Sequence, residues 1–269
     1  MDSIQQAVEL ARAAAEGGLG HNHPLPVDGL SSSEVRTKEV YLRPEALERA
    51  RIVTHGAIGE QARYYNMLRT QVLQEMDKKG WQFLAITSPT AACGKSVTAC
   101  NLAISISRLP QRSALLVDLD LRKPMVATYL DIKDSSSGVL SVLDGRSALG
   151  AATVQANIGP CSFQVLPGAV SVPASSEWMA SQTMGTLLQT IKREFRSRIV
   201  IFDLPPLLVG DDVISILPRM DAVLLVTAAG VTSMSQIKEC QKHLQRSPIV
   251  RVVVNKVREA AADSYYGYY

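Results

Sequence analysis

The chain predicts an α/β domain whose doubly wound, mostly parallel sheet carries helices on both faces, and three observations carry that prediction. Five short β-rich runs, QFLAIT, SALLVD, RIVIFD, AVLLVT and IVRVVVNK, alternate with longer helical segments. Their Val, Ile and Leu are continuous rather than alternating, as in strands covered on both sides. The first run leads through a loop ending in Gly94 straight into a helical segment that begins with Lys95 and Ser96.

In chain order, residues 3 to 16 place Ile4, Ala7, Val8 and Ala11 on one helical face, and Gly17 and Gly18 stop that helix. This is a short surface helix or a docking helix for a partner. Residues 17 to 39 are rich in Gly, Pro and Ser and read as a linker, in which His21 and His23 are solvated. Helical character returns at RPEALERARIV. It is stronger at GEQARYYNMLRTQVLQEMDKKG, where Tyr65, Leu68, Val72, Leu73 and Met76 form a stripe and Lys78 and Lys79 precede Gly80. The expected division is an N-terminal helix and flexible linker over 1–58, a core domain over 59–258 and a tail over 259–269.

Composition excludes several classes. A net charge of +3 with interspersed signs lacks the basic field of a dedicated nucleic-acid binder. Cys93, Cys100, Cys161 and Cys240 have neither metal-ligand nor disulfide-framework spacing, which fits a reducing compartment. The N-terminus carries acids, unlike a secretory signal, and no apolar run reaches the ~18 residues of a membrane span. A cytoplasmic protein is expected, with membrane contact only through a partner.

Ligands of such sheets bind outside the carboxyl ends of the strands. The general phosphate-loop pattern is G-x-x-x-x-G-K-[ST], and in TSPTAACGKS the residues Gly94, Lys95 and Ser96 supply its second half, while Pro89 stands at the first glycine. SALLVD continues into LDLRKP and sets Asp118 and Asp120 at a strand end; RIVIFD continues into LPP and sets Asp203 at another. Backbone amides at a helix N-terminus favour an anion, Lys95 adds a charge for phosphates, and the Ser96 hydroxyl suits Mg2+. Any one of these aspartates alone would read as a turn or cap. Together with G-K-S they predict a Mg-nucleotide site.

The motifs SPTAACGKS, LLVDLDLRKP and IVIFDLPP resemble those of the bacterial tyrosine autokinases (BY-kinases) of exopolysaccharide and capsule loci, within the MinD/ParA-like P-loop ATPases. The likeness runs from about Leu68 to the C-terminus and includes LRT at 68–70, VLPG at 165–168 and VVNKV at 253–257. It implies a P-loop NTPase fold and an ATP- and Mg2+-dependent protein-tyrosine kinase. Residues Ala92, Cys93, Gly94, Lys95, Ser96 and Val97 would cradle the ATP or ADP phosphates, and Asn255 would contact adenine. Ser96, Asp118, Asp120 and Asp203 would hold Mg2+ directly or through water. Lys95, Asp118, Asp120 and Asp203 would be catalytic, with Asp118 taking the proton of the substrate hydroxyl.

The chain ends ADSYYGYY, with Tyr265, Tyr266, Tyr268 and Tyr269 among its last five residues. A terminal tail has nothing after it to complete a packed element, so these tyrosines are not core. In the family such a cluster is the autophosphorylation target. The resemblance further implies self-association, a separate membrane polysaccharide copolymerase whose cytoplasmic segment activates the kinase, and a tyrosine phosphatase. Each phosphate adds roughly −1.5 to −2 charges, so repulsion would loosen an assembly.

The chain departs from the family in two places. Ala91, Ala92 and Cys93 replace P-G-E, which implies weaker nucleotide binding and raises the question of a reactive Cys93. Arg63 and Asn66 stand where the E-x-x-R-x-x-R assembly helix has Glu and its first Arg, so only Arg69 matches. A MinD/ParA-type partitioning or positioning ATPase would share every nucleotide ligand; it usually has a lysine at Thr90 and needs no terminal tyrosines. A nucleotide-binding scaffold with little kinase activity is the other alternative.

Overall fold

The structure is a computed structural model describing residues 37–257 apart from 57–58, 134–136, 169–170, 173–174, 197 and 246. The expected first helix and all four tail tyrosines lie outside the described residues.

All five expected strands form: β2 (Phe83–Thr87), β3 (Ala114–Asp118), β6 (Ile199–Asp203), β7 (Ala222–Ala228) and β8 (Ile249–Asn255). Three more join them, β1 (Lys38–Tyr41), β4 (Val154–Ile158) and β5 (Cys161–Leu166). The sheet has eight strands in the order β1-β4-β5-β3-β6-β2-β7-β8. Every neighbouring pair is parallel except the hairpin β4–β5.

The helices are α1 (Pro44–Arg49), α2 (Glu60–Lys79), α3 (Lys95–Ser107), α4 (Val126–Tyr129), α5 (Val139–Leu143), α6 (Leu149–Ala152), α7 (Ser175–Ala180), α8 (Gln182–Glu194), α9 (Asp212–Ile216) and α10 (Met234–Leu244). They build a core on each side of the sheet. Leu84, Ile86, Leu116, Ile201 and Leu224 face α2 and α3, with Val72, Met76, Leu102 and Ile106 packed on them. Phe83, Ala85, Leu115, Val117, Val200 and Phe202 face the other way, towards Leu187, Leu188 and Ile191 of α8 and Cys240 and Leu244 of α10. Alternate residues of one strand thus serve opposite cores, and the strand sequences are apolar throughout for that reason.

Residues 38–54 correct the expected boundary at 59. β1 pairs in parallel with β4 from Lys38↔Val154 to Tyr41↔Asn157, and Leu42, Leu47 and Ile52 are buried in the core. Thr54 is fixed through its amide and hydroxyl to Asn101 of α3. An edge strand of mixed residues such as KEVY carries little periodic signal, so the stretch read as linker. The β4–β5 hairpin was also missed, although Val154, Ala156 and Ile158 alternate as buried residues before a Gly159–Pro160 turn.

Candidate active site

The strand order sets the site. β3, β6, β2, β7 and β8 are consecutive parallel neighbours, so their carboxyl ends form one row. Asp118 lies in register with Asp203, Asp203 with Ile86, and Ala228 with Asn255. The loop after β2 therefore opens between the aspartates on one side and Asn255 on the other.

That loop is shaped by its neighbours. The Thr87 hydroxyl donates to the Pro205 carbonyl at 2.7 Å, and the amides of Leu207 and Leu208 donate to the carbonyls of Ser88 and Pro89. Pro89, where the general pattern has glycine, contributes its carbonyl and sits against the loop after β6. Ala92 adopts φ +62° and Gly94 φ +95° immediately before α3. A Cβ at Gly94 would lie 2.2 Å from Asn255 Nδ2 and displace that side chain, and the positive φ itself favours glycine. Asn255 Nδ2 donates to the Cys93 carbonyl at 3.0 Å and ties the last strand to the loop. At the start of α3 the amides of Lys95, Ser96 and Val97 have no acceptor within the helix, as at any helix N-terminus.

Lys95 is buried, and its Nζ lies 2.8 Å from Asp120 Oδ2, 3.3 Å from Asp203 Oδ1 and 3.1 Å from Ser96 Oγ. Burial works to lower its pKa, but the Asp203 and Asp120 carboxylates outweigh this and hold it above the ordinary lysine value. Asp118 and Asp203 are fully buried, and Asp120 nearly so. Asp118 Oδ1 accepts from the Asp120 amide at 3.2 Å and Oδ2 from the Val126 amide at 3.0 Å, which curls the loop after β3 around the carboxyl group. Burial, reinforced by the charge of Asp203, pushes the Asp118 carboxyl up to about 8, against the Val126 bond. Asp203 is also raised, chiefly by burial.

Three carboxylates thus face one ammonium. Burial leaves Asp118 and Asp203 short of the stabilisation a charged carboxylate needs, a deficit that a divalent cation would fill. Among the described residues no group of three or more His, Cys, Asp or Glu forms a ready metal cage. Mg2+ suits such a site, because it takes few protein oxygens and completes its shell with water and phosphate.

The structure brings together Ala92, Cys93, Gly94, Lys95, Ser96, Val97, Asp118, Asp120, Asp203 and Asn255 at one sheet edge. The Cys93 side chain is fully buried, with Sγ 3.6 Å from Thr232 Oγ1, so it is a small residue that fits and lacks the exposure a reactive thiol needs. Arg69, expected on an assembly face, turns inward: Nη1 donates to the Ser105 carbonyl at 3.0 Å and to Asn66 Oδ1 at 3.3 Å, locking α2 to α3 within one chain. Asp212, a buried partner of Arg122 beside the site, was missed; the acid doublet Asp211–Asp212 closing the loop after LPP was its signal.

Comparison with known proteins matches residues 84–266 to the model of the CobQ/CobB/MinD/ParA nucleotide-binding domain. The chain belongs to this CobQ/CobB/MinD/ParA family. It is 28% identical over 210 residues to the tyrosine-protein kinase CpsD of Streptococcus pneumoniae, covering 77% of this chain and 89% of that one. Among solved structures, the VpsO kinase domain superposes with a TM-score of 0.65 at 26% identity, covering 78% of this chain and 98% of its own. The kinase domain of the Escherichia coli tyrosine kinase ETK gives 0.66 at 25% identity, covering 77% and 80%. The nucleotide-binding fold of the family accounts for the position of the loop between β2 and α3.

Proposed function

We propose that this chain is an ATP- and Mg2+-dependent protein-tyrosine autokinase that phosphorylates Tyr265, Tyr266, Tyr268 and Tyr269 on a neighbouring copy. The observation that carries the reading is Asp118 in register with Asp203 beside the clasped Lys95, in a chain with four tyrosines among its last five residues.

The amides of Ala92 to Val97 and the Lys95 ammonium would receive the phosphates, and Asn255, bonded to the Cys93 carbonyl, would contact adenine. Ser96 and Asp203 would hold Mg2+, with Asp120 acting on it through water. When bound, Mg2+ offsets the charge that builds on the phosphate oxygens. A tyrosine hydroxyl of pKa about 10 is protonated at neutral pH, so its attack is helped by a base. Asp118, held at the strand end by its bonds from the Asp120 and Val126 amides, is the carboxylate placed to serve as that base. It takes the phenolic proton as the tyrosine oxygen bonds to the γ-phosphorus and the bond to the β-phosphate oxygen breaks, giving phosphotyrosine and ADP.

By its likeness to capsule-locus kinases, the chain regulates exopolysaccharide polymerisation and export. It works at the inner face of the membrane, recruited by the cytoplasmic segment of a copolymerase. Among the described residues no helix is long and apolar enough to cross a membrane.

The test is incubation with Mg-ATP, with and without the copolymerase peptide, followed by mapping of phosphate on the C-terminal peptide by mass spectrometry. Phosphate on the four tyrosines that vanishes in Lys95→Met is expected. Nucleotide binding and hydrolysis with no phosphotyrosine under either condition would replace this reading with a partitioning-type ATPase.

A further inference from the structure

A second charged cluster lies behind the carboxylates. Arg122, four residues after Asp118, reaches Asp212 on α9 with Nε at 2.9 Å and Nη2 at 2.8 Å from Oδ2. The other oxygen of Asp212 accepts from the Ser175 hydroxyl at the start of α7. The Asp212 side chain is 2% exposed, a depth at which a carboxylate persists only when paired and hydrogen-bonded. Gly210 makes the approach possible: a Cβ there would meet Arg122 Nη2 at 2.7 Å and Asp212 Oδ2 at 2.8 Å. The backbone of the same loop is held as well, by Ser171 Oγ on the Arg122 carbonyl at 2.5 Å and by the Val172 amide on the Leu121 carbonyl at 2.9 Å.

The connectivity gives this cluster its meaning. Arg122 belongs to the loop that carries Asp118 and Asp120, while Gly210 and Asp212 close the loop that begins at Asp203. We propose that Arg122 is a positioning residue, which through Asp212 locks these two loops together and so sets the spacing of the carboxylates that meet the Mg-nucleotide. On that reading the phosphates would sit at the Gly94–Val97 turn, and neither Arg122 nor Asp212 would touch them. The proposal rests on the reading of the site as one for Mg2+ and nucleotide, and is independent of tyrosine as the acceptor.

ADP affinity of the full chain, measured by calorimetry in excess Mg2+ and again in EDTA, tests it. Arg122→Gln alone strands a buried carboxylate and can unfold the chain. The informative variant is therefore Arg122→Gln with Asp212→Asn, which keeps a hydrogen bond and leaves no charge unpaired. Groups that hydrogen-bond metal ligands typically change metal affinity by about 10–100-fold, and a clamp one contact further out should reach the lower end of that range. The ratio of affinities with and without Mg2+ should fall at least about tenfold in the double variant, while affinity in EDTA and the melting temperature stay near wild type. Arg122→Lys, which keeps the charge, should recover part of the ratio. An unchanged ratio, or a parallel loss in both buffers together with a lower melting temperature, would reduce the clamp to a structural role and overturn the proposal. Wild type with Mg-dependent ADP binding but no phosphotyrosine would sink the kinase reading and leave the clamp standing.

Discussion

Replacing Ala92 by glycine should stabilise the protein, although glycine usually weakens a chain. Ala92 is exposed and held at φ +62°, and a left-handed backbone costs a residue with a Cβ about 1–2 kcal/mol. Glycine removes that strain but adds freedom to the unfolded chain, worth about 0.4–1 kcal/mol in the opposite sense. Taken at the midpoints, the difference leaves Ala92→Gly more stable by about 0.8 kcal/mol, a rise of roughly 2–3 °C for a domain of this size. Ala91 supplies the control: it is exposed too, but is not among the positive-φ residues, so Ala91→Gly should destabilise by about 0.5–1 kcal/mol. Ala92→Val, a branched side chain in the same strained region, should lose more than 1 kcal/mol, by the order of magnitude of such outliers. Urea unfolding of the three variants in parallel measures all of this without nucleotide. If Ala92→Gly and Ala91→Gly shift the midpoint in the same direction, the strained loop is refuted.

Gly94→Ala should fold with only local distortion yet lose nucleotide binding, since the new Cβ would press on Asn255 Nδ2 at 2.2 Å; a wild-type ADP affinity would contradict this. Asp118 makes stability depend on pH. Its folded pKa is raised from 3.8 to about 8, so its contribution is complete below about 4 and is lost as pH rises through about 8. Within that window the slope is at most about 1.4 kcal/mol per pH unit. Melting temperatures in Mg-free buffer should therefore fall between pH 5.5 and 8.5, here roughly the upper part of that window, and fall less in Asp118→Asn. Equal slopes for the two proteins would remove the buried, uncompensated carboxyl from the account. Lys95→Met should abolish tail phosphorylation, read by mass spectrometry, with circular dichroism run alongside because the change also strands the buried Asp203 and Asp120.

The sequence alone determined the central strands and the residues at their ends. Five runs of Val, Ile and Leu need both faces buried, and a loop ending G-K-S before a helix needs an anion, so the domain type and Lys95, Asp118 and Asp203 were legible from local chemistry. β1 was not, because an exposed edge strand has no apolar face to announce it and is specified by its pairing with β4. Nor was the inward turn of Arg69, which depends on Ser105 of a helix thirty-six residues away in sequence. Tertiary structure also decided that Cys93 is buried and that Asn255 closes over Gly94. The clamp of Arg122 on Asp212 spans ninety residues and was decided in the same way. These are contacts between distant segments, and they exist only once the strand order β3-β6-β2-β7-β8 has brought the loops side by side.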